Sequence, residues 1–448
     1  MFSFLPYINK SDGRSSLLAK NIYASFVVKG WSAVVMLIMV PLTLHCLGVY
    51  RNGVWLTISS LLVWIDQMDI GLGNGLRNRL ATHIAQGRND EARKVVSSTM
   101  AMLVSIMLPV LSILLVLICY GNVFEFFNVD PQAIPELRTA LLAAVTLVCM
   151  TFVLKFVGNV YMGMQLPAVS NLLITLGQTI ALAATALLYY SNQVTFTRIA
   201  IVNTAAPLLV YLLAYPYTFC HKFPQLRPKW NMVNLRSSWE LAGLGVKFFW
   251  LQIAGIIQFM TANILISKFF TPETVTPYQI AYRYMSLVIV AFTVVCMPFW
   301  NATTDAYERD DMEWIRRANQ RMNWFTALIA LALILITIVS PWVYDIWIGD
   351  ECHVPFSMTV LMALYIFLLT LSMRYSYFLN GVGALRMQLY MTVSAIVFIP
   401  LAWAASTLTH DIRWFMAVMC FCNLPGVIVN IIQFNKILNR TAKGIWRI

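Results

Sequence analysis

The sequence predicts an all-α polytopic membrane protein with 12 transmembrane helices in two parallel six-helix lobes around a central cavity. Three observations lead there: the composition, the spacing of long apolar runs, and a pattern that returns after half the chain. Of 448 residues, 60% are hydrophobic and 11% charged, where a soluble domain carries about 25% charged residues. The apolar residues spread over the whole length, which excludes both a large disordered region and a single anchor attached to a soluble domain.

A membrane helix needs roughly 20 apolar residues. Runs that meet this length lie at 22–44, 50–72, 97–119, 138–159, 168–190, 199–219, 242–266, 278–300, 324–346, 356–378, 387–408 and 414–436. They are continuous rather than alternating, and lipid offers the backbone no hydrogen-bond partner, so helices are expected rather than barrel strands. The first run is expected to act as an uncleaved anchor, since residues 1–20 are short and mildly basic without a signal-peptide pattern.

Orientation follows from the basic residues. The N-terminus, the even-numbered connections (Arg77 to Lys94, Lys222 to Arg236, Arg309 to Arg321, Arg386) and the tail carry 21 of them. The opposite side carries five: Arg51, Arg138, Arg198, Lys268 and Arg413. Basic loops stay in the cytoplasm, so both termini of this inner-membrane protein are expected there. The net charge of +12 is thereby accounted for without nucleic acid.

Two landmarks recur at an offset of 223 residues. The acidic-then-basic segment Gly87–Lys94 returns as Asp310–Arg317, and Gly158 with Gln165 returns as Gly381 with Gln388. Six spans per repeat is an even number, so the halves run parallel, with the substrate path expected at their interface. The expected division is 1–220 for the N-terminal lobe, 221–240 for a basic cytoplasmic linker and 241–448 for the C-terminal lobe. The charged segments 83–96 and 305–321 read as interfacial helices on the cytoplasmic surface.

Ionisable side chains inside spans are costly, so each marks a candidate site. They are Lys29, Asp66, Asp69, Lys155, Lys247, Arg283 and Arg374. At 1.5 Å per residue, Lys29 and Asp66 both lie roughly 10 Å from the cytoplasmic ends of adjacent spans, which predicts that they pair. Lys155, Lys247 and Arg374 lie near the cytoplasmic ends of their spans, within reach of snorkelling. Arg283 lies near the outer end of span 8 among Tyr278, Tyr282 and Tyr284. Glu273 is its nearest carboxylate in sequence. Five bases against two acids predict a cationic cavity that attracts a phosphate or pyrophosphate and repels cations.

The stretch Leu47-Gly48-Val49-Tyr50-Arg51-Asn52-Gly53-Val54-Trp55, with Trp64, Asp66 and Asp69-Ile70-Gly71-Leu72-Gly73-Asn74-Gly75-Leu76-Arg77-Asn78, resembles the first two spans of bacterial oligosaccharide flippases. These are the O-antigen and capsular-polysaccharide exporters of the multidrug/oligosaccharidyl-lipid/polysaccharide superfamily. Asn380-Gly381-Val382-Gly383 and Gln388 are similar to that family after span 10. The resemblance implies transport of undecaprenyl-pyrophosphate-linked oligosaccharide repeat units from the cytoplasmic to the periplasmic leaflet, for O-antigen, lipopolysaccharide or capsule biosynthesis. It implies membrane lipids and other polysaccharide-assembly membrane proteins as partners. On that reading Arg283, Lys29, Lys247, Arg374 and Lys155 are substrate contacts. Asp66 and Asp69 are the carboxylates nearest to a role in proton or sodium coupling.

No catalytic constellation, metal-ligand spacing or phosphate-binding loop is encoded. The eight cysteines are scattered and the five histidines fall in loops or at span ends. A non-enzymatic transporter without cofactor is therefore expected. The alternative is an ion-coupled multidrug antiporter of the same superfamily, which calls for a carboxylate-lined cavity. A major-facilitator carrier shares only a basic loop after span 2. An envelope glycosyltransferase or polymerase needs a larger outer loop than Tyr120 to Leu137.

Overall fold

The computed structural model describes residues 13–66, 71–234, 261–391 and 393–446. Among these every regular element is helical. The helices are α1 (Gly13–Asp66), α2 (Leu72–Ala85), α3 (Asn89–Tyr120), α4 (Val123–Phe127), α5 (Leu137–Leu154), α6 (Phe156–Gly163), α7 (Pro167–Tyr190) and α8 (Phe196–Pro216). They continue with α9 (261–269), α10 (Pro272–Glu308), α11 (Met312–Trp347), α12 (Phe356–Gly381), α13 (Arg386–Met391), α14 (Val393–Thr409) and α15 (Ile412–Leu438).

Nine helical stretches among the described residues are long and apolar enough to cross a bilayer. One of them, Val27–Asp66, holds the first two expected spans, and α10 holds the eighth. Most of the seventh, 242–266, lies outside the described residues. Within α1 the break between spans is Gly48, at φ 68° and ψ 170°. That backbone state is open to glycine and strained for other residues, so one residue suffices to separate two spans.

The charged segments 83–96 and 305–321 are not separate interfacial helices. Each holds a tight turn between two helices: Gln86–Arg88 joins the 14-residue α2 to α3, and Arg309–Asp311 joins α10 to α11. At 1.5 Å per residue the 32 residues of α3 and 36 of α11 exceed a hydrocarbon core of about 30 Å by several turns. The first repeat landmark has a structural counterpart. Gly87 and Asp310, 223 residues apart, both take positive φ (71° and 60°) just before the helix starts. The second does not. Gly158 lies inside α6 while Gly381 ends α12. The equivalent helix ends are Gly163 and Gly381, 218 residues apart, because the elements between the two landmarks differ in length.

The chain forms two compact units. Unit 1 comprises Met1–Cys46, Leu62–Phe124 and Asp130–Phe249; unit 2 comprises Leu47–Leu61, Glu125–Val129 and Trp250–Ile448. Two segments of the N-terminal half thus belong to unit 2. In unit 1, small residues bring backbones together, as is usual between membrane helices. A methyl group on Gly177 would lie 3.0 Å from Pro207 Cα, and one on Gly163 2.9 Å from the Leu80 side chain. Phe152, Phe156, Phe196 and Phe219 fill the core.

In unit 2, Leu47–Leu61 is fastened by buried polar side chains. Thr276 Oγ1 donates to Val49 O (2.8 Å) and Asn52 Nδ2 to Thr276 Oγ1 (3.4 Å). Asn263 Nδ2 donates to Ser60 Oγ (2.5 Å), and Gln279 Nε2 to Asn263 Oδ1 (2.7 Å). Gly53 permits this closeness, since a Cβ there would stand 1.8 Å from Pro272 O. Gly53→Ala must therefore displace backbone, and overpacking of this kind costs about 1–3 kcal/mol. We predict a clear fall in the melting temperature of the purified protein, while Gly30→Ala, with nothing within 4 Å of the new methyl, melts no lower than the parent. Equal melting of the two variants would contradict this packing.

Candidate functional site

The charged groups inside the spans divide by unit. In unit 1, Asp66 is the last described residue of α1, and Lys155 is the single residue between α5 and α6. Lys155 Nζ lies 2.7 Å from Asp66 Oδ1 and donates to Asp66 O at 2.5 Å. The ammonium thus neutralises a carboxylate and also donates to the backbone carbonyl of the same residue. The Phe152 ring adds a cation–π contact at 5.4 Å.

This pairing differs from the expected Lys29–Asp66 pair. Depth along a span follows from its ends, but depth leaves the rotation of a helix undetermined. Asp66 faces the α5–α6 junction. Lys29 is exposed, and no hydrogen bond or ion pair to its ammonium is present among the described residues. The face of α1 near it is tied to α7 instead: Ser32 Oγ donates to Gln178 Oε1 (2.5 Å) and Trp31 Nε1 to Thr179 Oγ1 (3.1 Å).

Unit 2 holds Arg374 and Arg283. Arg374, on α12, is 4% exposed. Its guanidinium donates to Thr326 Oγ1 (3.1 Å), Asn323 Oδ1 (2.5 Å), Asn319 O (3.2 Å) and Asn319 Oδ1. The Tyr375 ring lies 4.9 Å from its central carbon. Asn319, Asn323 and Thr326 are spaced i, i+4, i+7 along α11, so they share one helix face. All of these acceptors are neutral. The positive charge is solvated by dipoles, and no carboxylate among the described residues pairs with it.

Arg283 is half-buried on α10. Among the described residues no hydrogen bond or ion pair reaches its guanidinium, and Glu273 does not pair with it. Two of its tyrosine neighbours are otherwise engaged: Tyr278 donates to Met419 Sδ (3.6 Å) and Tyr284 to Ile336 O (3.0 Å). Lys247 and Asp69 lie outside the described residues. The described basic groups therefore differ in kind. Lys155 is matched by a carboxylate, while Arg374 and Arg283 are not.

Sequence reasoning missed the asparagine-rich face of α11, although its spacing was legible in Asn319, Asn323 and Thr326. It also missed the Asn52, Asn263 and Gln279 network, because uncharged polar residues were not counted among the costly groups. No group of three or more potential metal-ligating side chains occurs among the described residues.

We predict coupled behaviour for the unit 1 pair. With the side chains 24% and 39% exposed, the coupling between Asp66→Asn and Lys155→Met lies between the exposed and buried limits, at about 1–2 kcal/mol. Each single variant lowers the melting temperature, and the double variant loses less than the sum. Strict additivity would contradict the pairing; Lys29→Met is expected to be neutral.

No protein-family model and no curated protein matches the chain. Solved structures do match. The inward-facing conformation of a multidrug resistance MATE family transporter of the MOP superfamily is 15% identical, covers 92% of this chain and 95% of its own, and gives a TM-score of 0.79. The outward-facing conformation of such a transporter, also 15% identical, covers 95% and 97% with a TM-score of 0.63. A MOP superfamily transporter from Pyrococcus furiosus, whose reverse polarity of binding pocket suggests a different function, is 14% identical, covers 95% and 96%, and scores 0.64. At such identity the likeness is one of fold: an all-α membrane protein with 12 transmembrane helices in two lobes.

Proposed function

We propose that a chain with this fold and these charges is a transporter of an anionic lipid-linked sugar, moving undecaprenyl-pyrophosphate-linked oligosaccharide repeat units from the cytoplasmic to the periplasmic leaflet. The observation that carries the reading is Arg283, a half-buried guanidinium within a span that has no counter-charge among the described residues. A charge in that position is expensive unless something answers it. A pyrophosphate suits it well, because guanidinium binds phosphate oxygens in a bidentate, charge-assisted manner. Arg374 adds a second uncompensated positive charge to the same unit.

The physical task fits the same parts. A polyprenyl tail is soluble in lipid, whereas its pyrophosphate and sugars are not. A transporter needs only to offer the headgroup a polar, cationic route by alternating access while the tail remains in the bilayer. No bond in the substrate changes. Asp66 and Asp69 remain the carboxylates proposed for ion coupling; Asp66 enters that role already paired with Lys155. The excess of basic residues on one side favours an inner-membrane location with both termini cytoplasmic.

A second reading, a multidrug antiporter, is favoured by the names of the solved MATE transporters that share the fold. An unpaired arginine disfavours a cationic drug. The Pyrococcus furiosus protein is a member of that fold described as having a pocket of reversed polarity, so the fold alone does not choose between the readings.

Proteoliposomes decide the matter. Purified protein is supplied with labelled undecaprenyl-pyrophosphate oligosaccharide, with a cationic dye in parallel. We predict protein-dependent movement of the lipid-linked sugar and none of the dye. Arg283→Ala, expressed normally, should slow translocation by about tenfold or more. Dye transport without lipid movement would establish the antiporter instead, and full activity of Arg283→Ala would remove that residue from the path.

A further inference from the structure

The segment after α8 is an ordered strap. Six residues, Tyr217–Lys222, form a wide turn beyond Pro216, followed by tight turns at Pro224–Leu226 and Trp230–Met232. Phe223 and Leu226 are buried, with Phe223 against the Tyr161 ring. Three hydrogen bonds then tie the strap to α3. Arg93 Nε donates to Arg227 O (2.7 Å), Lys229 N to Ser97 Oγ (3.0 Å) and Asn234 N to Ser98 Oγ (2.8 Å).

These bonds set the height of the strap. Ser97 and Ser98 stand where the apolar run of α3 begins, so the strap lies at the membrane boundary on the side with the basic excess. With its apolar side chains turned inward, it exposes Lys222, Arg227, Lys229 and Trp230, the last 76% exposed. No acid occurs between Tyr217 and Asn234. Among the described residues no carboxylate lies within ion-pair distance of Lys222, Arg227 or Lys229. The nearby Lys94 is already neutralised by Glu91 at 2.7 Å.

An exposed indole beside uncompensated cations at a bilayer boundary matches one environment. Tryptophan prefers the headgroup layer, and juxtamembrane basic clusters attract anionic lipid. We propose that the strap is a binding surface for anionic phospholipid headgroups of the cytoplasmic leaflet, with Arg227 and Lys229 on the phosphate oxygens and Trp230 seated among the headgroups. Because the backbone is already fixed on α3, the cations are preorganised, and binding costs less ordering entropy than on a mobile loop.

The test is lipid titration of the purified full chain by native mass spectrometry, with phosphatidylglycerol and phosphatidylcholine as probes. The parent chain should prefer phosphatidylglycerol. Arg227→Gln with Lys229→Gln should weaken that lipid by roughly twentyfold and leave phosphatidylcholine unchanged. Both side chains are exposed, so the strap's own hydrogen bonds persist, and an unchanged melting temperature checks this. Arg316→Gln with Arg317→Gln removes the same charge from an exposed part of α11 and should have little effect. Equal losses in the two double variants, or undiminished phosphatidylglycerol binding without Arg227 and Lys229, would overturn the proposal.

Discussion

A cationic side chain within a bilayer-spanning helix must be answered by a counter-charge, by a shell of dipoles, or by something that arrives from outside. The described part of this protein contains all three cases. Lys155 takes a carboxylate, Asp66. Arg374 takes oxygens of Asn319, Asn323 and Thr326 and an aromatic face. Arg283 takes neither. The first arrangement is self-contained, because the pair is neutral. The second keeps a net charge deep in unit 2 at tolerable cost, since each N–H used has an acceptor. The third leaves a charge unanswered by any described residue, where desolvation is expensive. On the proposed function, an anionic headgroup would supply the counter-charge.

Packing provides the frame that makes these distinctions possible. In unit 1, close approach at Gly163 and Gly177 fixes helices against each other. In unit 2 the segment Leu47–Leu61 is held by Gly53 against Pro272 and by a chain of buried amides and hydroxyls. Such networks are specific because each donor left unpaired in an apolar surround is costly. A left-handed glycine at 48 marks where the first long helix changes from one unit to the other.

Most of the fold was legible in the sequence because bilayer thickness imposes a length on every apolar run. The runs at 97–119 and 356–378 correspond to α3 and α12 with only their ends displaced. Hydropathy did not show where α3 and α11 continue past the membrane, since charged residues beyond the lipid remain helical. It also did not show rotation. Lys29 and Asp66 stand at equal estimated depth, yet the carboxylate faces Lys155. The half-chain repeat was legible at Gly87 and Asp310, where turn chemistry is shared, and misread at Gly158, where apolar sequence of low complexity offers coincidental matches. Neutral polar residues were the largest gap at the candidate site. The asparagines around Arg374 carry no charge to draw attention, and their role is visible only once two helices are placed side by side.

We propose that Arg283 of unit 2, which has no counter-charge among the described residues, selects an anionic headgroup. The most direct measurement is the equilibrium affinity of the detergent-purified protein for undecaprenyl pyrophosphate compared with undecaprenol, in the parent and in Arg283→Met. We predict that the parent prefers the pyrophosphate by about tenfold or more and that the variant loses most of this preference while keeping its affinity for the alcohol. Equal affinity of the parent for both lipids, or an undiminished preference without Arg283, would contradict it.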